Sequence, residues 1–194
     1  MLCTQNIVYN KEKEELMKLH LGCGKKFIAG FKHVDLLDFG HIDYKTSVDD
    51  LYFAENDSID IIYAAHVLEH FGRLEYKSVL KEWFRVLKPN GILRVSVPSF
   101  EAVVEYYANH DDNLESLLGL LVGGQKIGQY DYHKMIFDKK LLNKDLKEIG
   151  FKKVELYDWK QTEHANIDDF SQAYLPHMDK ENGLLMSLNI EATK

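Results

Sequence analysis

Residues 19–24 read Leu19-His20-Leu21-Gly22-Cys23-Gly24. A short apolar run enters two glycines, so a buried strand ends in a tight loop whose backbone can come close to a ligand. A second stretch, Phe31–Leu36 (FKHVDL), carries Asp35 towards its carboxyl end, where a carboxylate can accept hydrogen bonds from a ribose. Only residues 22–30 separate the two, close to the minimum for a parallel crossover, so the connecting helix shrinks to about a turn inside KKFIAG.

Working outward, Thr46–Val48 reads as a third strand, and Asn56-Asp57-Ser58 is turn chemistry. Ile59–Ala64 (IDIIYA) is a continuous apolar run, as a parallel strand buried on both faces requires. Tyr76, Val79, Leu80, Trp83, Phe84 and Leu87 recur at helical spacing and form one apolar stripe. Lys88-Pro89-Asn90-Gly91 breaks that helix with a turn before the strand Ile92–Val97. Phe100–Ala108 and Leu114–Leu121 read as helices. Gly123-Gly124-Gln125 breaks the pattern, Asp138 caps a helix running through Ile149, and Gly150 ends it. Lys153–Asp158 and Leu184–Ala192 complete seven strands. No helix is expected between the last two, so they pair antiparallel at the sheet edge. The expectation is an α/β, doubly wound, mostly parallel sheet with both faces covered and one antiparallel edge strand.

The chain has 194 residues, which fits a single domain spanning 1–194. Residues 1–16 are expected as an N-terminal extension, and 100–135 and 159–183 as substrate-side lids. The net charge of −7 argues against a nucleic-acid backbone as main partner, and no apolar run reaches the ~18 residues that span a membrane. Cys3 and Cys23 are poorly placed for a structural disulfide. Together with the lack of a signal-peptide pattern at the N-terminus, this sets the expectation of a cytoplasmic protein.

Ligands of such sheets sit at the carboxyl ends of the strands. Gly22, Gly24, Asp35, Asp49, Asp50, His66 and Pro98-Ser99 all fall there. The third glycine of a dinucleotide fingerprint is replaced by Phe27, and Asp35 comes early compared with the ~20-residue spacing of that motif. A ligand with a ribose and no pyrophosphate suits the site, and S-adenosylmethionine is one.

LHLGCG, HVDL, SVDDLYF, IDIIYAAHVLEHF and VLKPNGILRVSVP, in this order over residues 19–98, resemble the class I S-adenosylmethionine-dependent methyltransferases that carry an HVLEH segment. GGQ, DYHK and IGF further on resemble members associated with glycan biosynthesis. The resemblance implies a Rossmann-like fold with S-adenosylmethionine as cofactor. It places Leu21, Gly22, Cys23 and Gly24 at the methionine part, Asp35 on both ribose hydroxyls and Leu36 against adenine. Asp49, Asp50 and Leu51 would meet the adenine edge, and Ala65 and His66 would lie near the methionine amine or the transferred methyl.

A hydroxyl or amine acceptor must lose a proton, and a histidine is the usual base. His133, flanked by Asp131 and Tyr132, is the first choice, with His164 and Asp169 behind it. His66 and His70 stand at i, i+4, as metal-binding pairs do, but without the HExxH order, and no metal is expected. The acceptor is expected to be a small polar molecule, such as a sugar or glycan precursor. Two rival readings remain: a non-catalytic S-adenosylmethionine-binding module that partners another subunit, and a short-chain NAD(P) oxidoreductase built on Tyr130 and Lys134.

Overall fold

The computed structural model describes residues 16–110, 114–126 and 128–194. Its strands are β1 (Lys18–Leu21), β2 (Lys32–Asp35), β3 (Tyr44–Lys45), β4 (Ile59–Ala65), β5 (Leu87–Pro98), β6 (Lys153–Leu156), β7 (Tyr174–Leu175), β8 (Leu184–Leu185) and β9 (Ser187–Thr193). Its α-helices are α1 (Tyr76–Val86), α2 (Phe100–Asn109), α3 (Leu118–Val122) and α4 (Lys139–Ile149). Seven strands form one sheet in the order β3-β2-β1-β4-β5-β9-β6, and β7 and β8 form a separate hairpin pair. β1 to β5 run parallel; β9 is the reversed strand, one place in from the edge, antiparallel to both β5 and β6.

One face of the sheet is apolar. Leu19, Leu21, Ile62, Ala64, Leu93, Val95 and Ile190 meet Val79, Leu80 and Trp83 of α1 and Leu142 and Leu146 of α4. Tyr76, Val79, Leu80 and Trp83 of the stripe read from the sequence form the buried face of α1 with Val86, while Phe84 is half-buried and Leu87 already belongs to β5. Asp138 caps α4 by accepting from the Leu141 amide, and Gly150 ends that helix with φ +128°.

The other face departs from expectation. The segment between β1 and β2 contains turns and no helix; it tucks Ile28 and Phe31 against Tyr63. The Ile28 amide donates to His33 Nε2 (3.0 Å), and that contact fixes the segment in place of helical hydrogen bonds. His20, His33, Tyr63, Ser96 and Asn189 are buried here, and residues 159–172 cover them. Tyr63 donates to Asp169 (2.6 Å) and stacks near His164, while Ser96 bonds Tyr157 and Asn189 donates to the Ser171 carbonyl. Loops and the 3₁₀ turns Trp159–Gln161 and Phe170–Gln172 close this side of the doubly wound sheet.

Other boundaries shift for local reasons. The third strand lies at 44–45, before the expected 46–48, because Ser47 opens a turn by accepting from the Asp50 amide. Lys88-Pro89-Asn90-Gly91 does not end a helix in a free turn: β5 already starts at Leu87, and the four residues form an irregularity where pairing jumps from Ile59↔Leu87 to Ile61↔Ile92. The second expected helix after β5 begins as a 3₁₀ turn at Glu115–Leu117 before α3. The last expected strand divides at Met186, whose amide and carbonyl turn to Ala173 and Ser99. Cys3 and residues 1–15 of the expected extension lie outside the described residues.

Candidate active site

A cavity of about 660 Å³ opens at the carboxyl ends of β1, β2 and β4. Gly22 and Gly24 line it after β1, Asp35 and Leu36 at the end of β2, Ser47 to Asp49 after β3, and His66 and Val67 after β4. Tyr130, Asp131 and Lys134 contribute from the segment before α4. Gly22 has φ +61°, and any side chain there would run into Val67 Cγ2, so the close approach of the two loops requires glycine.

Asp35 ties the site together. The Gly24 amide donates to its Oδ2 (2.9 Å) and the Leu37 amide to its Oδ1 (2.8 Å). Both oxygens are held by backbone, and each keeps a lone pair for a further donor. The Ser47–Asp50 turn is fastened to α1: Trp83 Nε1 donates to the Val48 carbonyl (2.8 Å), and the Leu51 amide donates to Glu82 Oε1 (3.0 Å). Glu82 is in turn paired with Arg85 (2.7 Å), which holds its carboxyl below the usual carboxylate range. The Ser47 hydroxyl donates to the Asp49 carboxylate and so sets its direction at the cavity.

Residues 31–95 match the family model described as "Methyltransferase domain". That stretch, about a third of the chain, runs from the start of β2 into β5 and is similar to methyltransferase domains. No curated protein sequence matches the chain. Among solved structures, it is similar to an S-adenosylmethionine-dependent methyltransferase from Archaeoglobus fulgidus, at 15% identity over 94% of this chain and 87% of that one, with TM-score 0.54. It is also similar to one from Mesorhizobium loti, at 16% identity over 92% and 91% of the two chains, with TM-score 0.55. A third is the Burkholderia thailandensis 1,6-didemethyltoxoflavin-N1-methyltransferase, solved with its substrate and S-adenosylhomocysteine. That pair shares 13% identity over 92% of this chain and 70% of that one, with TM-score 0.51. At these identities the structural likeness speaks for the fold.

The lining suits S-adenosylmethionine. A glycine cradle that a Cβ would fill, a carboxylate with lone pairs to spare, and the half-exposed Leu36 are the groups that a methionine chain, a ribose and an adenine ask for. His66 closes the far end. It sits in the left-handed region at φ +54°, unusual for a residue other than glycine, and stacks on Phe170. Burial, then the neighbouring His133 and His70, pushes its pKa down to about 3.

Of the residues expected at the cofactor, Gly22, Gly24, Asp35, Leu36, Asp49 and His66 meet at the cavity. Leu21 and Leu51 are fully buried core side chains, and Cys23, Asp50 and Ala65 are not among the lining residues. Burial, then Asp35 nearby, pushes the Cys23 thiol up to about 12, so it is no nucleophile.

His133 also stands back from the cavity wall, its side chain 9% exposed. Its Nδ1 is 2.9 Å from the Leu120 carbonyl, to which it donates, and its Nε2 is 3.9 Å from Glu69 Oε1. Burial lowers its pKa. The segment that carries it is anchored by the Lys134 and Met135 amides, both donating to the Glu69 carbonyl. His164 and Asp169 belong to the other face of the sheet, and none of residues 159–183 lines the cavity. Tyr130 and Lys134 do line it, but they sit on a 3₁₀ turn and an extended segment, without the helix that a dehydrogenase pair requires.

Sequence reasoning missed Glu69. It is fully buried in the 3₁₀ turn Leu68–His70, and burial raises its pKa to about 8. The signal was its position: an acid directly after the buried pair Val67-Leu68, flanked by two histidines. Among the described residues no helix is long and apolar enough to cross a membrane.

Proposed function

We propose that this methyltransferase moves the methyl group to a hydroxyl or amine of a small polar acceptor, such as a sugar or glycan precursor. The observation that carries the reading is the extent of the cavity. It continues from the Asp35 end past His66 to Tyr130, Asp131 and Lys134, so a cofactor at the first end leaves polar wall beside the second. Its volume of about 660 Å³ is of the size that takes a cofactor or a drug-sized ligand together with little else, which favours a small acceptor. The net charge of −7 favours such a molecule over nucleic acid.

S-adenosylmethionine supplies a methyl group on a sulfonium, already electrophilic, so the protein's work is alignment and proton removal. Asp35 accepts from both ribose hydroxyls. Leu36 packs on the adenine, and Asp49 faces its edge. The Gly22 and Gly24 amides are committed to Val34 and Asp35, so the loop offers its remaining backbone groups to the methionine end. His133 is the proposed proton acceptor: with Nδ1–H held by Leu120, its Nε2 lone pair is free, and burial keeps it neutral at pH 7.

S-adenosylhomocysteine should raise the melting temperature of the wild-type protein, because a ligand that binds only the folded state stabilises it. Asp35→Ala should weaken that ligand by about 1–3 kcal/mol; unchanged affinity would remove Asp35 from the site. Release of S-adenosylhomocysteine with a panel of small sugars would exclude the non-catalytic module, and no release with any acceptor would favour it.

A further inference from the structure

We propose that Glu69, His70 and His133 form a binding site for a zinc-type divalent metal ion at the acceptor end of the cavity. One ligand atom from each lies within 4.8 Å of the others, and His133 Nε2 is 3.9 Å from Glu69 Oε1. A tetrahedral ion held at ~2.1 Å wants its ligands ~3.4 Å apart, so small side-chain rotations close the site.

The hydrogen bonds around this cluster leave acceptors facing one another. His70 Nδ1 is 3.0 Å from the Tyr132 carbonyl and His133 Nδ1 is 2.9 Å from that of Leu120. A carbonyl can only accept, so both rings carry their proton on Nδ1 and a lone pair on Nε2. His66 arrives at the same result by its other nitrogen. Ser187 donates its hydroxyl to the Phe170 carbonyl (2.5 Å), so it must accept from His66 Nε2 (2.7 Å). The His66 Nδ1 lone pair then faces Glu69 Oε1 at 3.4 Å.

Glu69 is fully buried, and neither of its carboxylate oxygens has a hydrogen-bond partner beyond its own residue. A buried carboxyl beside lone pairs must either keep its own proton or hold something positive among them, and a metal ion does the second. Two imidazoles, each oriented by a backbone carbonyl, and one carboxylate are the donor set and outer shell of a transition-metal site. The i, i+4 pair visible in HVLEH is not the ligand pair: His66 turns its Nε2 to Ser187, and His133 joins His70 from across the fold.

Because His70 lines the cavity, an ion here presents its open positions to whatever lies there. Its part in methyl transfer would rest on the function proposed above: the ion would occupy the His133 Nε2 lone pair, so an acceptor hydroxyl bound to the ion would pass its proton to solvent instead of to His133. Its binding does not depend on that function.

The test uses the full chain, stripped with a chelator and titrated with Zn²⁺, with melting temperature and calorimetry as readouts, and with Co²⁺ absorption to report nitrogen and oxygen ligation. Zn²⁺ should stabilise the wild type. Glu69→Gln, His70→Ala and His133→Ala should each weaken Zn²⁺ binding at least ~10-fold, while His110→Ala, at the end of α2, should bind like the wild type. Each variant is checked for folding by its stabilisation with S-adenosylhomocysteine. Folded variants that bind Zn²⁺ as tightly as the wild type, or a wild type that binds none, overturn the site. Loss of the S-adenosylhomocysteine response alone would instead count against the cofactor assignment.

Discussion

The two faces of one sheet are built by different rules. The first is closed by α1 and α4 over aliphatic side chains, and its strength is burial. The second is closed by residues 22–31 and 159–172 over histidines, a tyrosine, a serine and an asparagine, and its strength is hydrogen bonding among groups that water cannot reach. Apolar packing tolerates small shifts, whereas a buried polar network must be satisfied member by member. The first face should therefore answer to lost volume, and the second to lost donors and to pH.

The largest effect is expected on the first face. Trp83→Ala removes a fully buried side chain and should cost about 3–5 kcal/mol in urea unfolding. It also releases the Val48 carbonyl, so cofactor affinity should fall with stability. A loss under about 1 kcal/mol would show that α1 is not what closes this face.

Next comes Tyr63→Phe, which keeps the ring and removes only the hydroxyl that donates to Asp169. Asp169 keeps the Ser171 amide and hydroxyl on Oδ1, so losing the one bond to Oδ2 should cost about 0.5–1.5 kcal/mol. A neutral outcome would show the second face to be wet and the contrast false.

The smallest effect at neutral pH concerns His20, whose pKa is pushed down to about 3, first by burial and then by His33, His164 and His41. Its folded-state pKa lies below the unfolded value of 6.5, so the neutral ring's contribution is whole above pH 6.5 and is lost as pH falls towards 3. His20→Phe should change little at pH 7.5. Below pH 6.5 it should make the loss of stability shallower by about 1.4 kcal/mol per pH unit, one proton's worth. Denaturant midpoints at several pH values read this directly, and parallel curves for variant and wild type would contradict it.

The same contrast explains what could be read in the sequence. The first face was legible because its parts have periods: Tyr76, Val79, Leu80 and Trp83 repeat as a helix does, and IDIIYA runs apolar as a buried strand does. Asp35 and the glycines were legible because chain order alone places them at strand ends. The second face was not, since burying His20, His33 and Asn189 depends on partners such as Ser171 and Asp169 far along the chain, and no local pattern announces them. Lys88 to Gly91 has the composition of a turn and becomes a strand irregularity only because β4 and β9 flank it. Glu69 and His133 are likewise neighbours only in space.

The place of β9 bears on how the chain reaches this structure during synthesis. β6 is joined to the sheet only through β9, which is made after the intervening segment 157–186. While the nascent chain is shorter than that, β5 has one unpaired edge in the middle of the future sheet and β6 has no strand to pair with. The ribosome delivers the chain from its amino-terminal end. The chain must hold β1 to β5 together with an open edge, a surface prone to pairing with other chains, until its last strand slides between two neighbours already waiting for it.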